Sequence, residues 1–117
     1  MGAKPQGPGR WSEPGLLVMS SLAGGEKHGY AMVADIDQMS GVHLGPGTLY
    51  GALTRLEEQG LIVALPTEGR RRPYKLTGAG ARVLEEQLRT IANVADTGLT
   101  RLRARPYGRP SWRPLWV

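Results

Sequence analysis

The feature that most constrains the fold is a change of hydrophobic periodicity at Gly60. Before it, apolar residues recur at spacings of three and four, which is typical of helices that bury one face. Residues 61–65 are a short, uninterrupted apolar run with β-branched members, which indicates a strand. Helical spacing returns after Thr77. The pattern predicts an α+β fold that is mainly helical and contains a small β-hairpin.

Three short helices are predicted before Gly60. The first covers residues 16–23, with Ser12 as a candidate N-cap and Pro14 in the first turn. The second covers residues 30–40, and the third follows the turn at residues 44–48. Each of the last two has one apolar stripe for the core: Met32, Val33, Ile36 and Met39 in the second helix, and Leu49, Ala52, Leu53 and Leu56 in the third.

A hairpin is predicted after the third helix. Its strands are residues 61–65 and 72–76, and residues 67–71 form the tip between them. Proline has no backbone N–H to donate to a neighbouring strand. Pro73 therefore predicts that the second strand lies at a sheet edge.

The final helix is predicted to run from a cap at Thr77 to residue 105, about 40 Å at ~1.5 Å per residue. Such a helix is longer than a small domain can cover. Its apolar seam either packs back on its own domain or meets a second copy, and the excess length favours a dimer. The predicted dimer interface is Leu84, Leu88, Ile91, Ala95 and Leu102, with Gly98 interrupting the seam.

Helix, helix, helix, hairpin is the order of a winged helix-turn-helix. We assign residues 1–11 to a flexible Gly/Pro-rich arm, 12–76 to that domain, 77–105 to a C-terminal dimerisation helix, and 106–117 to an irregular tail. The tail holds Trp112 and Trp116, for which disorder, packing across a dimer and ligand contact all stay open.

Composition excludes several classes of function. The chain has no cysteine, so disulfides, thiolate nucleophiles and cysteine-bound metals are ruled out. His28 and His43 lie 15 positions apart without clustered acids, so no metal site, cofactor or enzyme active site is predicted. The glycines at 45, 47 and 51 lack the Lys-Ser/Thr ending of a nucleotide-binding loop. No apolar run reaches the ~18–20 residues that span a bilayer, and a cytoplasmic location is expected.

The net charge of +5 permits nucleic-acid binding, and its local clusters point to DNA. The major groove admits one α-helix, and recognition helices place their N-terminal residues against base edges. Three consecutive arginines at a hairpin tip suit phosphate contact, although such a run is also typical of a solvated loop. The tyrosines are alternatively ordinary half-buried aromatics. The predicted DNA-binding residues are Tyr30, Thr48, Tyr50, Thr54, Arg55, Arg70, Arg71, Arg72 and Lys75.

Three segments resemble the PadR family: HGYAMVADI at residues 28–36, GTLYGALTRLEEQGLI at 47–62 and EGRRRPYKLTGAGARVL at 68–84. The resemblance covers residues 14–105 and matches the compact members with a single C-terminal helix. It implies a homodimeric transcriptional repressor. The C-terminal helix would form the interface, the third helix would enter the major groove, and the hairpin would lie beside it.

The resemblance also implies release from DNA by a small aromatic or drug-like ligand near the dimer interface. Short members that bind flat drugs carry an aromatic residue on the last helix, whereas this chain has none between Thr77 and Arg105. Trp11, Trp112 or Trp116 are the available substitutes. The alternative function is a winged-helix module for protein assembly, without duplex binding and with low salt dependence.

Overall fold

A computed structural model describes residues 12–105. The elements within that range are α1 (Pro14–Leu22), β1 (Lys27–His28), α2 (Gly29–Ser40), α3 (Pro46–Glu58), β2 (Ile62–Ala64), β3 (Pro73–Leu76) and α4 (Gly78–Ala104). None of the described helices is long and apolar enough to cross a membrane. The predicted arm (1–11) and tail (106–117), with all three tryptophans, lie outside the described residues.

Helix α1 is the centre of the core. Its residues from Leu16 to Met19 are all buried, as is Ser21, whose Oγ donates to Asp35 Oδ2 on α2 at 2.6 Å. The predicted Ser12 cap is wrong: Pro14 occupies the first helical position, so the extended residue before it, Glu13, is the N-cap. The Glu13 side chain makes no capping hydrogen bond.

The helical stripes are largely as predicted. All four apolar residues of the α3 stripe are buried, and so are Met32 and Ile36 of α2. Val33 is half-buried. Met39, however, is 46% exposed, so its assignment to the core is wrong. It lies in the last turn, just before Gly41 ends the helix at φ 77°.

The sheet has three strands where a two-stranded hairpin was expected. The strand order is β1-β3-β2, and both neighbours are antiparallel to β3. The prediction that Pro73 marks an edge strand is therefore wrong, since β3 is central. Proline is tolerated here because it is the first residue of the strand. Its carbonyl still accepts a hydrogen bond from the Leu65 N–H at 2.9 Å.

Helix α4 begins as predicted at Thr77, whose Oγ1 accepts from the Gly80 N–H at 3.0 Å and donates to the Gly60 carbonyl at 2.8 Å. Its first turns pack on the domain, where Leu84 is buried in the core at 4% exposure and Ile91 is half-buried. Residues 92–104 are all exposed. The part of the predicted seam that a partner can still cover therefore begins at Leu88.

Candidate nucleic-acid interface

Helix α3 turns its polar face outward. Thr48, Thr54 and Arg55 are exposed, as the sequence predicted, because the opposite stripe is anchored in the core. Gly51, also expected to face outward, is half-buried, and Tyr50 is exposed. With 3.6 residues per turn, the middle of the outward face is formed by Gly47, Gly51, Thr54 and Glu58. Gly47 and Glu58 were not among the residues predicted to face outward, although the same three-and-four spacing places them on this face.

The start of α2 lies directly against α3. Gly29 is buried, and a Cβ at this position would lie 3.3 Å from Leu49 Cδ2 and 3.4 Å from Tyr50 Oη. The glycine thus permits a close approach that a larger residue would hinder. Tyr50 packs its hydroxyl end against α2 while over half of the residue is exposed. The next residue along α2, Tyr30, is 79% exposed.

The β2–β3 hairpin, which we call the wing, ends in a tight turn. Glu68 and Arg71 exchange two backbone hydrogen bonds of 2.7 and 3.0 Å, leaving Gly69 and Arg70 as the central residues. Gly69 has φ 62°, the positive value that a type II′ turn requires at its first central position. This geometry places Arg70 at the tip of the wing.

The arginines of the wing differ in their contacts. Arg71 Nη1 lies 3.3 Å from His28 Nε2, and Arg72 Nη1 donates to the Leu65 carbonyl at 3.1 Å. Arg70 makes no hydrogen bond or ion pair within residues 12–105. All three are exposed, but within the described part of the chain only Arg70 of the three has a guanidinium group without a partner.

Tyr74 joins the wing to α3. Its partial burial raises the pKa of the phenol above its ordinary value of 10.0. The nearby Glu57 carboxylate and Tyr50 raise that pKa further, whereas the Arg72 guanidinium opposes them. The Tyr74 hydroxyl therefore stays neutral at physiological pH.

The structure does not bring Lys75 to the other site residues. Neighbouring residues of a strand point to opposite faces, and Tyr74 is the one near α3. Lys75 instead borders a groove with Ala23 and Glu26 after α1 and with Ala81 on α4.

Arg55 lies on the flank of α3 that faces away from Tyr50. Its Nη1 is 3.5 Å from the position that a Cβ on Gly51 would take, so the guanidinium lies back along its own helix. It borders a groove between α1, α3 and α4, together with Glu13 and Gln87.

A short helix buried on one side, polar on the other, preceded by a helix and followed by a basic hairpin defines a winged helix-turn-helix protein. The model of the transcriptional regulator PadR-like family matches residues 18–86, more than half of the chain. The chain belongs to this family. The matching family is described as one of transcriptional regulators, and the same description is part of the name of one similar protein, Rv3488.

The chain is 36% identical over 83 residues to the transcriptional regulator Rv3488 of Mycobacterium tuberculosis, covering 68% of this chain and 77% of that protein. It is 46% identical over 86 residues to an uncharacterized 37.1 kDa protein in transposon TN4556 of Streptomyces fradiae. That match covers 74% of this chain but only 25% of the Streptomyces protein.

A solved PadR family transcription regulator from Clostridium difficile R20291 superposes with a TM-score of 0.61 at 28% identity. The match covers 75% of this chain and 99% of that structure. The structure has four helices and a small antiparallel sheet. The predicted fold class, a mainly helical winged helix-turn-helix like that of PadR proteins, is therefore confirmed.

Proposed function

We propose that the chain is a sequence-specific DNA-binding regulator that acts as a homodimeric repressor. In this proposal α3 enters the major groove of the DNA and the wing lies on the adjacent sugar-phosphate backbone. One observation carries the proposal: the middle of the outward α3 face begins with the small residues Gly47, Gly51 and Thr54, and it lies beside a wing whose tip arginine is unpaired within the described residues.

The middle of α3 suits close approach to base edges. Gly47 and Gly51 present no side chain there, and Thr54, about one turn further along, offers a short hydroxyl. Thr48 and Arg55 flank this strip on one side, where each can reach a base edge. Glu58, at the C-terminal end, would be repelled by phosphates. The charge pattern thus favours entry by the N-terminal half of α3, as in other recognition helices.

Phosphate contacts are assigned to the residues around this strip. The Arg70 guanidinium has no partner within residues 12–105. Tyr50, on the flank of α3 that packs against α2, and Tyr30, at the start of α2, are both largely exposed. Phosphate contacts fix position rather than sequence. Because Lys75 borders a different groove, the proposed contact surface excludes it.

The proposed dimer forms through the second half of α4. Leu99 and Leu102 are 54% and 56% exposed, and Leu88 is 40% exposed on the same face. Leu99 also fits the seam, four positions after Ala95 and three before Leu102. A second copy with its own exposed stripe would cover these leucines. Two recognition helices related by a two-fold axis would then face half-sites about 34–36 Å apart.

An effector site belongs to this proposal as its second part. A groove of about 490 Å³ beside the first half of α4 has a mainly apolar lining that includes Leu76, Leu84, Leu88 and Ala92. Its volume lies within the ~300–1,000 Å³ of small-molecule sites. A planar aromatic compound bound there would lie next to the proposed dimer seam and weaken DNA binding by changing the spacing of the half-sites.

The test begins with selection of binding sites from a random pool of DNA duplexes. The selected duplex is then titrated with the protein at several salt concentrations, and the mass of the protein–DNA complex is determined. We expect a two-fold symmetric site bound by a dimer, with affinity that falls steeply as salt rises. No enrichment from the pool would reject DNA binding and favour the protein-assembly function. Enrichment without any shift of affinity by planar aromatic compounds would reject only the effector.

A further inference from the structure

His28 contacts two separate parts of the domain with its two ring nitrogens. His28 is the N-cap of α2, and its Nδ1 lies 3.4 Å from the Ala31 backbone N, within reach of that N–H. Its Nε2 lies 3.3 Å from Arg71 Nη1 on the wing. The backbone of His28 is also paired with Pro73 of β3.

These two side-chain contacts compete for one imidazole. A neutral ring has one N–H donor and one acceptor nitrogen, and a guanidinium can only donate. If Nε2 accepts from Arg71, Nδ1 carries the hydrogen and cannot accept from Ala31. Hydrogen bonds from charged donors are roughly twice as strong as neutral ones. The Arg71 contact should therefore prevail.

We propose that His28 is a positioning residue that ties the wing to the start of α2 through Arg71, and thereby holds Arg70 against DNA. The inference rests on the proposed DNA-binding function. Arg72 bonds to Leu65 within the wing itself, so it does not fix the tip to the helices. Arg71 closes the turn through its backbone while its side chain reaches His28. Holding Arg71 therefore holds the turn that carries Arg70.

The surrounding groups leave this pairing intact. Lys27, next to His28, directs its Nζ to the Ser21 carbonyl at 2.6 Å, towards α1. Tyr74 and Tyr50 are the titratable neighbours from β3 and α3, opposite Lys27 and beside Gly29 respectively. Among the described residues, the ion pairs involve Asp37, His43, Glu85 and Arg89, and none brings a carboxylate to His28.

The first test does not involve DNA. Long-range ¹H–¹⁵N spectra report the tautomer of each imidazole, and the chain has only two histidines. At about pH 8.5, where free imidazole is neutral, we expect the Nδ1–H tautomer for His28 in the wild type. In Arg71→Ala the Ala31 N–H no longer competes with a guanidinium, and the tautomer should change to Nε2–H. The same tautomer in both proteins would overturn the pairing.

The second test uses DNA affinity and a double-mutant cycle. His28→Asn keeps a good N-cap residue but lacks the second nitrogen that reaches Arg71. His28→Asn and Arg71→Ala should each weaken binding by about two- to tenfold, the value of one net hydrogen bond. The double variant should bind no worse than either single variant.

The salt dependence separates positioning from contact. Both variants should keep the wild-type slope of log affinity against log salt, whereas a lost phosphate contact lowers the slope by about 0.9. Additive losses in the double variant, or a lower slope in His28→Asn, would overturn the positioning role. If wild-type protein binds no duplex, the proposed function fails, and the tautomer experiment still decides whether the pair exists.

Discussion

At the scale of single residues, Gly80 determines how closely α4 approaches the sheet. A Cβ at this position would lie 2.1 Å from the Leu61 carbonyl oxygen and 2.8 Å from Leu76 Cδ1. The first contact is with backbone, which cannot rotate away, so α4 would have to move. We expect Gly80→Ala to lower the free energy of unfolding by about 3 kcal/mol, the upper end of overpacking costs. Urea titration measures this value.

Gly78→Ala is the matched control, two positions earlier on the same helix. There a Cβ would meet only Arg82 Nη1, at 4.0 Å. Alanine favours helix over glycine by up to about 1 kcal/mol, so this variant should be as stable as the wild type or more so. Equal destabilisation by both substitutions would contradict the steric explanation for Gly80.

Tyr74 should make the stability of the fold depend on alkaline pH. Because its pKa is raised by burial, by Glu57 and by Tyr50, the folded state holds the phenolic proton more tightly than the unfolded chain. The resulting stabilisation is complete below the ordinary pKa of 10.0 and is lost as pH rises through the folded-state pKa.

The comparison that isolates this effect is wild type against Tyr74→Phe. The loss of melting temperature between about pH 8 and about pH 11 should be smaller in the variant, which has no phenol to titrate. The variant keeps the ring and all other titrating groups, so the difference in the two losses reports Tyr74 alone. Identical losses would mean that the phenol is solvated in the folded state.

The sequence predicted the burial of residues far better than their partners. The α3 stripe was correct because helical periodicity depends only on nearby positions. The wing arginines formed one class in the sequence, yet they have three different environments. What separates them is the exact register of the Glu68–Arg71 turn and a contact to His28, 43 positions away. Local pattern carries no information about either.

At the scale of elements, the wing and α3 should have separable effects on DNA binding. Arg70→Ala removes a wing-tip guanidinium that has no partner within residues 12–105, so affinity should fall for all duplexes alike and the salt slope should fall by about 0.9. Arg82→Ala makes the same change of charge at an exposed position in the first turns of α4 and should leave the slope unchanged. Equal effects of both would indicate that only net charge matters.

Substitutions on α3 should instead change which sequence is preferred. Thr54 lies in the middle of the outward face, and Arg55 lies on its flank. Loss of one base contact costs about 1–3 kcal/mol at the contacted position, so Thr54→Ala or Arg55→Ala should relax the preference there. Binding-site selection repeated with each variant measures this. A uniform loss across all positions would reassign the residue to phosphate contact.

Strand β1 is the element that the sequence analysis missed. It has only two residues, too few for any alternation of side chains to be detected. Its pairing with β3 made β3 central and overturned the expectation based on Pro73. Proline is usually confined to edge strands because it has no backbone N–H to donate. The first residue of a strand does not need that donor, so Pro73 is compatible with a central strand.

At the scale of the whole molecule, α4 divides the chain into a packed domain and an exposed apolar face. Residues 92–104 are all exposed within the described part of the chain, yet Leu99 and Leu102 lie on one side of the helix with Leu88. The sequence predicted the helix and its seam but included Leu84, which the domain's own core buries. Periodicity does not show which part of a seam packs within its own domain, because that depends on tertiary packing.

Leu102→Asp should dissociate the proposed dimer. Burying one leucine is worth about 1.5–3 kcal/mol, and a two-fold interface loses two of them while gaining two buried carboxylates. The dimer dissociation constant should therefore rise by at least about a hundredfold, measured by sedimentation equilibrium. Affinity for the two-fold site should fall with it, because each monomer then binds one half-site alone.

Thr100→Asp is the control for that change. It places the same charge two positions away, near the same helix end, but Thr100 points to the opposite side from the exposed leucines. Any cost from a carboxylate close to the helix C-terminus is thus common to both variants. A dimer that survives in Leu102→Asp and breaks in Thr100→Asp would move the interface to the polar face. If both variants stay dimeric, the copies must meet outside the second half of α4.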